Sequence, residues 1–219
     1  MKSPFKLQDV PVSDSDVSIY ERDGVVCIKN AISIDWIEKL RVAADWVQQN
    51  PGPYDTDLTT GGKGQFYGGQ FLWLRREEFK EFLFSSPIAA IVARLMASKR
   101  VQLFYDFLLT KEPGGSNKTP WHQDAAYWPI VPMAASTVWI AFDHSTPDNG
   151  CMRVIPGSHK ERRLFSHRTS SRDDIVLTQE LSGELPAVVG KLKYLKLKGL
   201  KGWKLEVERV WKFKSWKSL

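Results

Sequence analysis

The sequence predicts a mainly β chain with flanking helices, an α+β fold. Two amphipathic helical stretches, residues 33–50 and 86–96, lie in the N-terminal half. From about residue 101 the pattern changes to short strand-like runs separated by turn residues. Aromatic residues are plentiful, nine tryptophans among them, which fits a packed β-rich body. With 219 residues the chain suits one domain with a sizeable core.

In chain order, residues 1–15 are polar and carry Pro4, Pro11, Ser13 and Ser15, so they read as a loose lead-in. Ile19-Tyr20-Glu21-Arg22 is a helical turn or linker. Asp23-Gly24 signals a turn into a β run, Val25-Val26-Cys27-Ile28-Lys29. Ser33 is an N-cap, with Asp35 and Glu38 in the first turn complementing the helix dipole. Ile37, Leu40, Ala44 and Val47 follow at helical spacing, and Asn50-Pro51-Gly52-Pro53 stops the helix. Residues 51–70, rich in Gly, Thr and Asp, read as a loop. Gly61-Gly62-Lys63-Gly64 lacks the Gly-Lys-Ser/Thr ending of a phosphate loop. Glu77 opens a short helix to Phe84, and Ser86-Pro87 opens another by supplying an N-cap and a proline at N1. The apolar stripe Ile88, Ile91, Val92, Leu95 and Met96 reads as core packing. Residues 101–111 form a strand with Val101, Leu103, Tyr105, Phe107 and Leu109 on one side. Their continuous apolarity predicts burial on both faces.

The stretch Thr119-Pro120-Trp121-His122-Gln123-Asp124-Ala125-Ala126-Tyr127-Trp128-Pro129 carries the chemistry. On an extended segment, side chains at i and i+2 leave the same face. The His122 imidazole and the Asp124 carboxylate therefore converge. A second histidine from a distant segment would complete a facial set of two nitrogens and one oxygen, which suits non-haem Fe(II). Tyr127-Trp128-Pro129 either walls such a site or belongs to the core.

Beyond it come Trp139-Ile140-Ala141-Phe142-Asp143, the turn Asp148-Asn149-Gly150, the strand Cys151-Met152-Arg153-Val154-Ile155 and its close Pro156-Gly157-Ser158-His159-Lys160. With Lys111-Glu112-Pro113-Gly114 upstream, this series resembles the phytanoyl-CoA dioxygenase family. The resemblance covers about residues 16–185 and is specific in its motifs between Leu103 and Lys160. It implies a double-stranded β-helix (a cupin-like jelly roll), incomplete at its C-terminal end. A helical N-terminal part would cover about residues 16–100, and the β-helix core about 101–190, within a domain of residues 1–190. It implies an Fe(II)- and 2-oxoglutarate-dependent dioxygenase that hydroxylates a small organic or acyl substrate with molecular oxygen, with ascorbate as a candidate accessory. His122 and Asp124 are then metal ligands, and Trp139 matches a position beside the 2-oxoglutarate.

The family pattern breaks after residue 190. A strand with the distal histidine, and an arginine for the far carboxylate of 2-oxoglutarate about ten residues later, are expected. No histidine follows His167, and Arg209 is the only arginine of residues 191–219. The third metal ligand is therefore left open between His144, His159, His167 and none; His159 and His144 sit in turn-like settings that favour structural roles. Residues 191–219 hold nine lysines and one arginine against two glutamates, a charge of +8, which leaves the other 190 residues at −2. The basic character belongs to a Lys/Trp-rich tail, and a uniformly basic nucleic-acid-binding domain is excluded. The tail reads either as an altered C-terminal end (a splice form or frameshift) or as a basic segment for an acidic partner or membrane surface. Its alternation at Trp203, Leu205 and Val207, and at Trp211 and Phe213, is a weak strand signature. The missing ligand and arginine support an alternative function: a catalytically dead binding or regulatory protein on the same scaffold, or a truncated product.

No apolar run approaches the roughly 18 residues of a membrane helix. The N-terminus has no signal-peptide pattern. Lys217-Ser218-Leu219 is a permutation of the peroxisomal Ser-Lys-Leu address, not the address itself. Cys27 and Cys151 read as separate thiols in a reducing compartment, and the expected location is cytoplasmic.

Overall fold

A computed structural model describes residues 5–114, 119, 121–126 and 135–161, and the backbone of 193–198. Helix α1 spans Asp14–Asp23. Ser13 Oγ accepts the Asp16 backbone N–H at 3.1 Å, and Asp16 Oδ2 accepts that of Ser13 at 2.9 Å. This reciprocal cap explains why the helix starts well before Ile19, where the sequence reading put only a helical turn. Gly24, at φ 75°, ends α1 in the left-handed conformation that glycine adopts without strain. Strand β1 (Val25–Lys29) follows as predicted, with Val26 and Ile28 buried. Helix α2 (Ile34–Gln49) buries Ile37, Leu40, Ala44 and Val47, the four residues expected from periodicity. Ser33 has the extended backbone of an N-cap, but its side chain makes no capping hydrogen bond.

Residues 51–70 are not all loop. Strands β2 (Asp55–Asp57) and β3 (Phe66–Gln70) form an antiparallel hairpin. Two of the glycines that suggested a loop, Gly68 and Gly69, are β3 residues used for close packing, whereas Gly61, Gly62 and Gly64 do lie between the strands. A Cβ on Gly68 would lie 2.8 Å from Leu58 and 3.1 Å from the Phe107 ring. Helices α3 (Glu77–Ser85) and α4 (Ile88–Leu95) are split at the buried Ser86, whose Oγ accepts the Ile88 N–H at 3.3 Å. Ile88, Ile91 and Leu95 are buried, and Val92 and Met96 pack against the same core.

Strand β4 covers only Phe107–Lys111, half the length expected. Its burial on both faces is corrected as well. Leu108 is buried, whereas Phe104 and Leu109 are each 47% exposed and Phe107 is 44% exposed. The helices supply a partner for one face of this sheet, and no described element covers the other. Continuous apolarity reports what a strand could bury, not which layers arrive to bury it.

Among the described residues the strands form two three-stranded sheets. One is antiparallel, in the order β2-β3-β4. The other contains β5 (Ser136–Ile140) and β6 (Lys193–Lys198) in the order β1-β6-β5, with both pairings parallel. In register, Val25 lies opposite Tyr194 and Val138 opposite Leu195. The central strand thus comes from the start of the basic tail, ahead of the weak strand signature read from its sequence. That signature, His167, Arg209 and the candidate wall at 127–129 lie outside the described residues. The architecture is mixed α+β. Helices α1 to α4 close over Tyr20, Ile37, Leu40, Leu72, Phe82 and Ile91, and Val138, Ile140 and Phe142 pack against that core. Cys27 and Cys151 are not joined in a disulfide. No helix among the described residues is long and apolar enough to cross a membrane.

One buried carboxylate carries a stability prediction. Asp106 Oδ2 accepts the Trp73 N–H at 3.1 Å, but burial outweighs that bond and raises its pKa from 3.8 to about 6. The native state therefore holds this proton more tightly than the unfolded chain. Stability falls as pH rises from about 4 to about 6 and levels off above, by about 3 kcal/mol in total. Asp106→Asn is expected to match the wild type at pH 4 and to be more stable at pH 7.5, as read from urea midpoints. A wild-type midpoint flat across that window would show that the carboxyl is not desolvated.

Candidate functional site

Strand β5 positions the site because its two faces have different partners. Ser136, Val138 and Ile140 face the helices. Ser136 Oγ shares a hydrogen bond of 2.7 Å with Tyr20 Oη, and Val138 and Ile140 join the core. Beyond the strand, Arg41 of α2 donates through Nε to the Phe142 carbonyl at 2.9 Å and lies 3.2 Å from Asp143. β5 is thus tied to the helical layer at both ends. Thr137 and Trp139 leave the opposite face.

On that face Thr137 Oγ1 donates to Asp124 Oδ2 at 3.0 Å. His122 Nε2 lies 3.1 Å from the other oxygen, Asp124 Oδ1. The structure brings the two together as expected, although not on an extended segment: Asp124 opens a 3-10 turn, Asp124–Ala126. Their side chains keep 31% and 21% of their surface, so solvent and small ligands reach both. Trp139, half-buried, shares a strand face with Thr137 and stands two residues further along β5.

Two cations that sequence reasoning did not single out flank this stretch. Lys111, at the end of β4, donates from Nζ to Thr119 Oγ1 at 3.1 Å and sits 4.6 Å over the Phe66 ring. Burial lowers its pKa. The Arg153 guanidinium lies 5.7 Å from the Trp121 ring centroid, beside His122 in sequence. Both lie in runs that carry the family resemblance, Lys111-Glu112-Pro113-Gly114 and Cys151-Met152-Arg153-Val154-Ile155, but nothing within those runs predicts the contacts with Thr119 and Trp121.

The other described histidines do not join the pair. His144 is exposed, and its carbonyl accepts the Asn149 side chain. His159 Nε2 donates to the Glu21 carbonyl at 3.1 Å, and its ring packs on Gly24, where a Cβ would fall 2.2 Å from Nδ1. The Gly157 N–H donates to the Asp23 carbonyl at 2.7 Å, so the turn holding His159 is pinned to the end of α1. Among the described residues no three His, Cys, Asp or Glu side chains converge to hold a metal ion.

Comparison with known proteins places this geometry in context. Residues 20–191 match the family described as phytanoyl-CoA dioxygenase (PhyH). β6 begins just beyond that segment. Phytanoyl-CoA dioxygenase 1 of Oryza sativa subsp. japonica is 29% identical over 127 residues, 52% of this chain and 45% of the relative. The peroxisomal phytanoyl-CoA dioxygenase of Rattus norvegicus is 26% identical over 169 residues, 71% of this chain and 50% of its own. Ectoine dioxygenase of Sphingopyxis alaskensis is 26% identical over 157 residues, 69% and 51% respectively. The chain thus spans about half the length of these curated relatives. No solved structure gives a significant match.

Proposed function

The chain belongs to the phytanoyl-CoA dioxygenase family, and from that premise we propose that it is an Fe(II)- and 2-oxoglutarate-dependent dioxygenase acting on a small organic or acyl substrate. The observation that carries the reading is the convergence of His122 Nε2 and Asp124 Oδ1 at 3.1 Å. An imidazole nitrogen and a carboxylate oxygen this close, and open to solvent, are a donor pair that a borderline divalent cation takes as neighbouring ligands. The donor set fits the metal as far as it goes, with two protein ligands. In this reading the fold is the family's double-stranded β-helix and residues 1–190 are its domain, in line with a family match over residues 20–191, and β6 from the tail adds the central strand of one sheet to it.

When bound, Fe(II) with 2-oxoglutarate supplies the activation of oxygen needed to hydroxylate a C–H bond. The chain supplies binding, orientation and charge. His122 and Asp124 would hold the ion. Trp139 would lie beside the 2-oxoglutarate and keep water from one side of it. Lys111, bonded to Thr119, and Arg153, over Trp121, are cations whose contacts fall on the stretch that carries the pair, and either would suit a carboxylate. Arg153 offers a two-pronged fork and Lys111 a point charge.

The test is anaerobic addition of Fe(II) and then 2-oxoglutarate to the purified chain, followed through the visible charge-transfer absorption of the chelate. A saturable band is expected. Its absence from folded protein would overturn the oxygenase reading. That outcome would favour a binding protein on the same scaffold, the second reading, which the sequence supports by having no histidine after His167 and no arginine but Arg209 beyond residue 190.

A further inference from the structure

We propose that Thr137 is the residue that orients Asp124, holding Oδ2 so that Oδ1, beside His122 Nε2, is the oxygen presented to the metal. The proposal rests on the metal reading of His122 and Asp124 given above. It adds a positioning residue drawn from a different part of the chain.

The carboxylate of Asp124 needs such a partner. Its torsion about the last side-chain bond is broad and roughly two-fold, so rotamer preference alone does not choose which oxygen faces His122. Its backbone sits in a 3-10 turn of three residues, Asp124–Ala126, with a single short stretch of helical geometry to restrain it. An ionised carboxylate only accepts hydrogen bonds, so the Thr137 hydroxyl, 3.0 Å from Oδ2, must be the donor there. That donor occupies Oδ2. Oδ1, beside His122 Nε2, is left as the oxygen that would be offered to a cation.

Thr137 is suited to act as a fixed point. It is β-branched, which restricts its own side-chain torsion. It stands on β5 between Ser136, bonded to the buried Tyr20, and Phe142, whose carbonyl is held by Arg41. It also faces away from the core-packed Val138 and Ile140. The hydroxyl therefore takes its position from the helical layer, which makes the loop carrying Asp124 conform to the sheet. Groups that orient a metal ligand typically change metal affinity by 10–100-fold when removed.

The experiment is a Co(II) titration of the full chain, followed by the visible ligand-field absorption of the ion, with Thr137→Val and Thr137→Ser alongside. Circular dichroism confirms that each variant is folded. Thr137→Val keeps the shape and removes the donor, and is expected to weaken Co(II) binding about tenfold or more. It should also lower the absorption intensity at saturation, because a released carboxylate can bind through both oxygens and raise the coordination number. Thr137→Ser restores the hydroxyl and is expected to bind as the wild type does. Should Thr137→Val not fold, Thr137→Ala carries the same comparison with the same expected loss. Wild-type affinity and spectrum in the valine or alanine variant would overturn the role of Thr137 while leaving the metal site intact, as would a serine variant no better than valine. A wild-type chain that takes up no Co(II) would overturn the metal reading itself, and this proposal with it.

Discussion

Replacing His122 with alanine is expected to abolish the anaerobic Fe(II)–2-oxoglutarate absorption, with a loss of metal affinity of about 100-fold or more. Only two donors converge among the described residues, and His122 supplies the nitrogen. Removing a supporting group around a metal ligand already costs 10–100-fold, so removing the ligand itself should cost at least the upper figure, about 2.7 kcal/mol. The carboxylate that remains is one hard oxygen site with Thr137 on its far side, a weak holder for Fe(II). The measurement is the same titration on wild type and variant. An unchanged band would mean that the metal sits elsewhere and that His122 is no more than a hydrogen-bonding neighbour of Asp124.

Replacing Asp55 with alanine should destabilise the fold by about 3–5 kcal/mol, the cost of stripping one partner from a buried ion pair. The Asp55 side chain is 4% exposed. Its oxygens lie 2.9 and 2.8 Å from one Arg75 nitrogen, and Oδ2 also accepts the Gly52 N–H at 2.8 Å. Arg75 reaches on to the Asn50 carbonyl at the end of α2. A Cβ on Gly52 would fall 2.4 Å from the guanidinium carbon, so a larger residue here would push Arg75 away from Asp55. This cluster fastens the first strand of the β2-β3-β4 sheet to the helices, and that sheet carries Lys111. Without Asp55 the Arg75 charge stays half-enclosed and unmatched. The expected signature is a fall in the thermal midpoint on the order of 10 °C at neutral pH. Burial pushes the Asp55 pKa up, but the Gly52 N–H and Arg75 outweigh it and hold it below the ordinary carboxylate value. A lowered pKa stabilises above the unfolded value of about 3.9 and loses that contribution as pH falls further. The gap between wild type and variant should therefore narrow in acid. A gap independent of pH would point to lost packing rather than a lost charge pair.

The helices were legible because their signal is local. Ile37, Leu40, Ala44 and Val47 recur at the helical period, and the structure buries all four. The cap of α1 was missed because aspartate stands at Asp16, where the usual capping signature has glutamate or glutamine. β3 was missed for the opposite reason. Gly68 and Gly69 argue locally against a strand, and only the approach of Leu58, Phe107 and Tyr67 to them shows why glycine is there. The exposed residues of β4 have the composition of a core strand, and nothing within the strand records whether a layer covers them.

The sequence by itself put His122 and Asp124 within reach of each other, two residues apart, whereas the 3-10 turn that Asp124 opens, and not an extended segment, decided how their side chains meet. The sequence also determined the family, whose motifs are contiguous. Tertiary structure alone decided that Thr137 holds Asp124, that Lys111 reaches Thr119 and that Arg153 covers Trp121. It likewise decided that residues of the basic tail fill the slot between β1 and β5. These contacts join segments whose spacing is set by chain folding. Their energy comes from hydrogen bonds, charge and burial that exist only once the helical layer has fixed β5 in place.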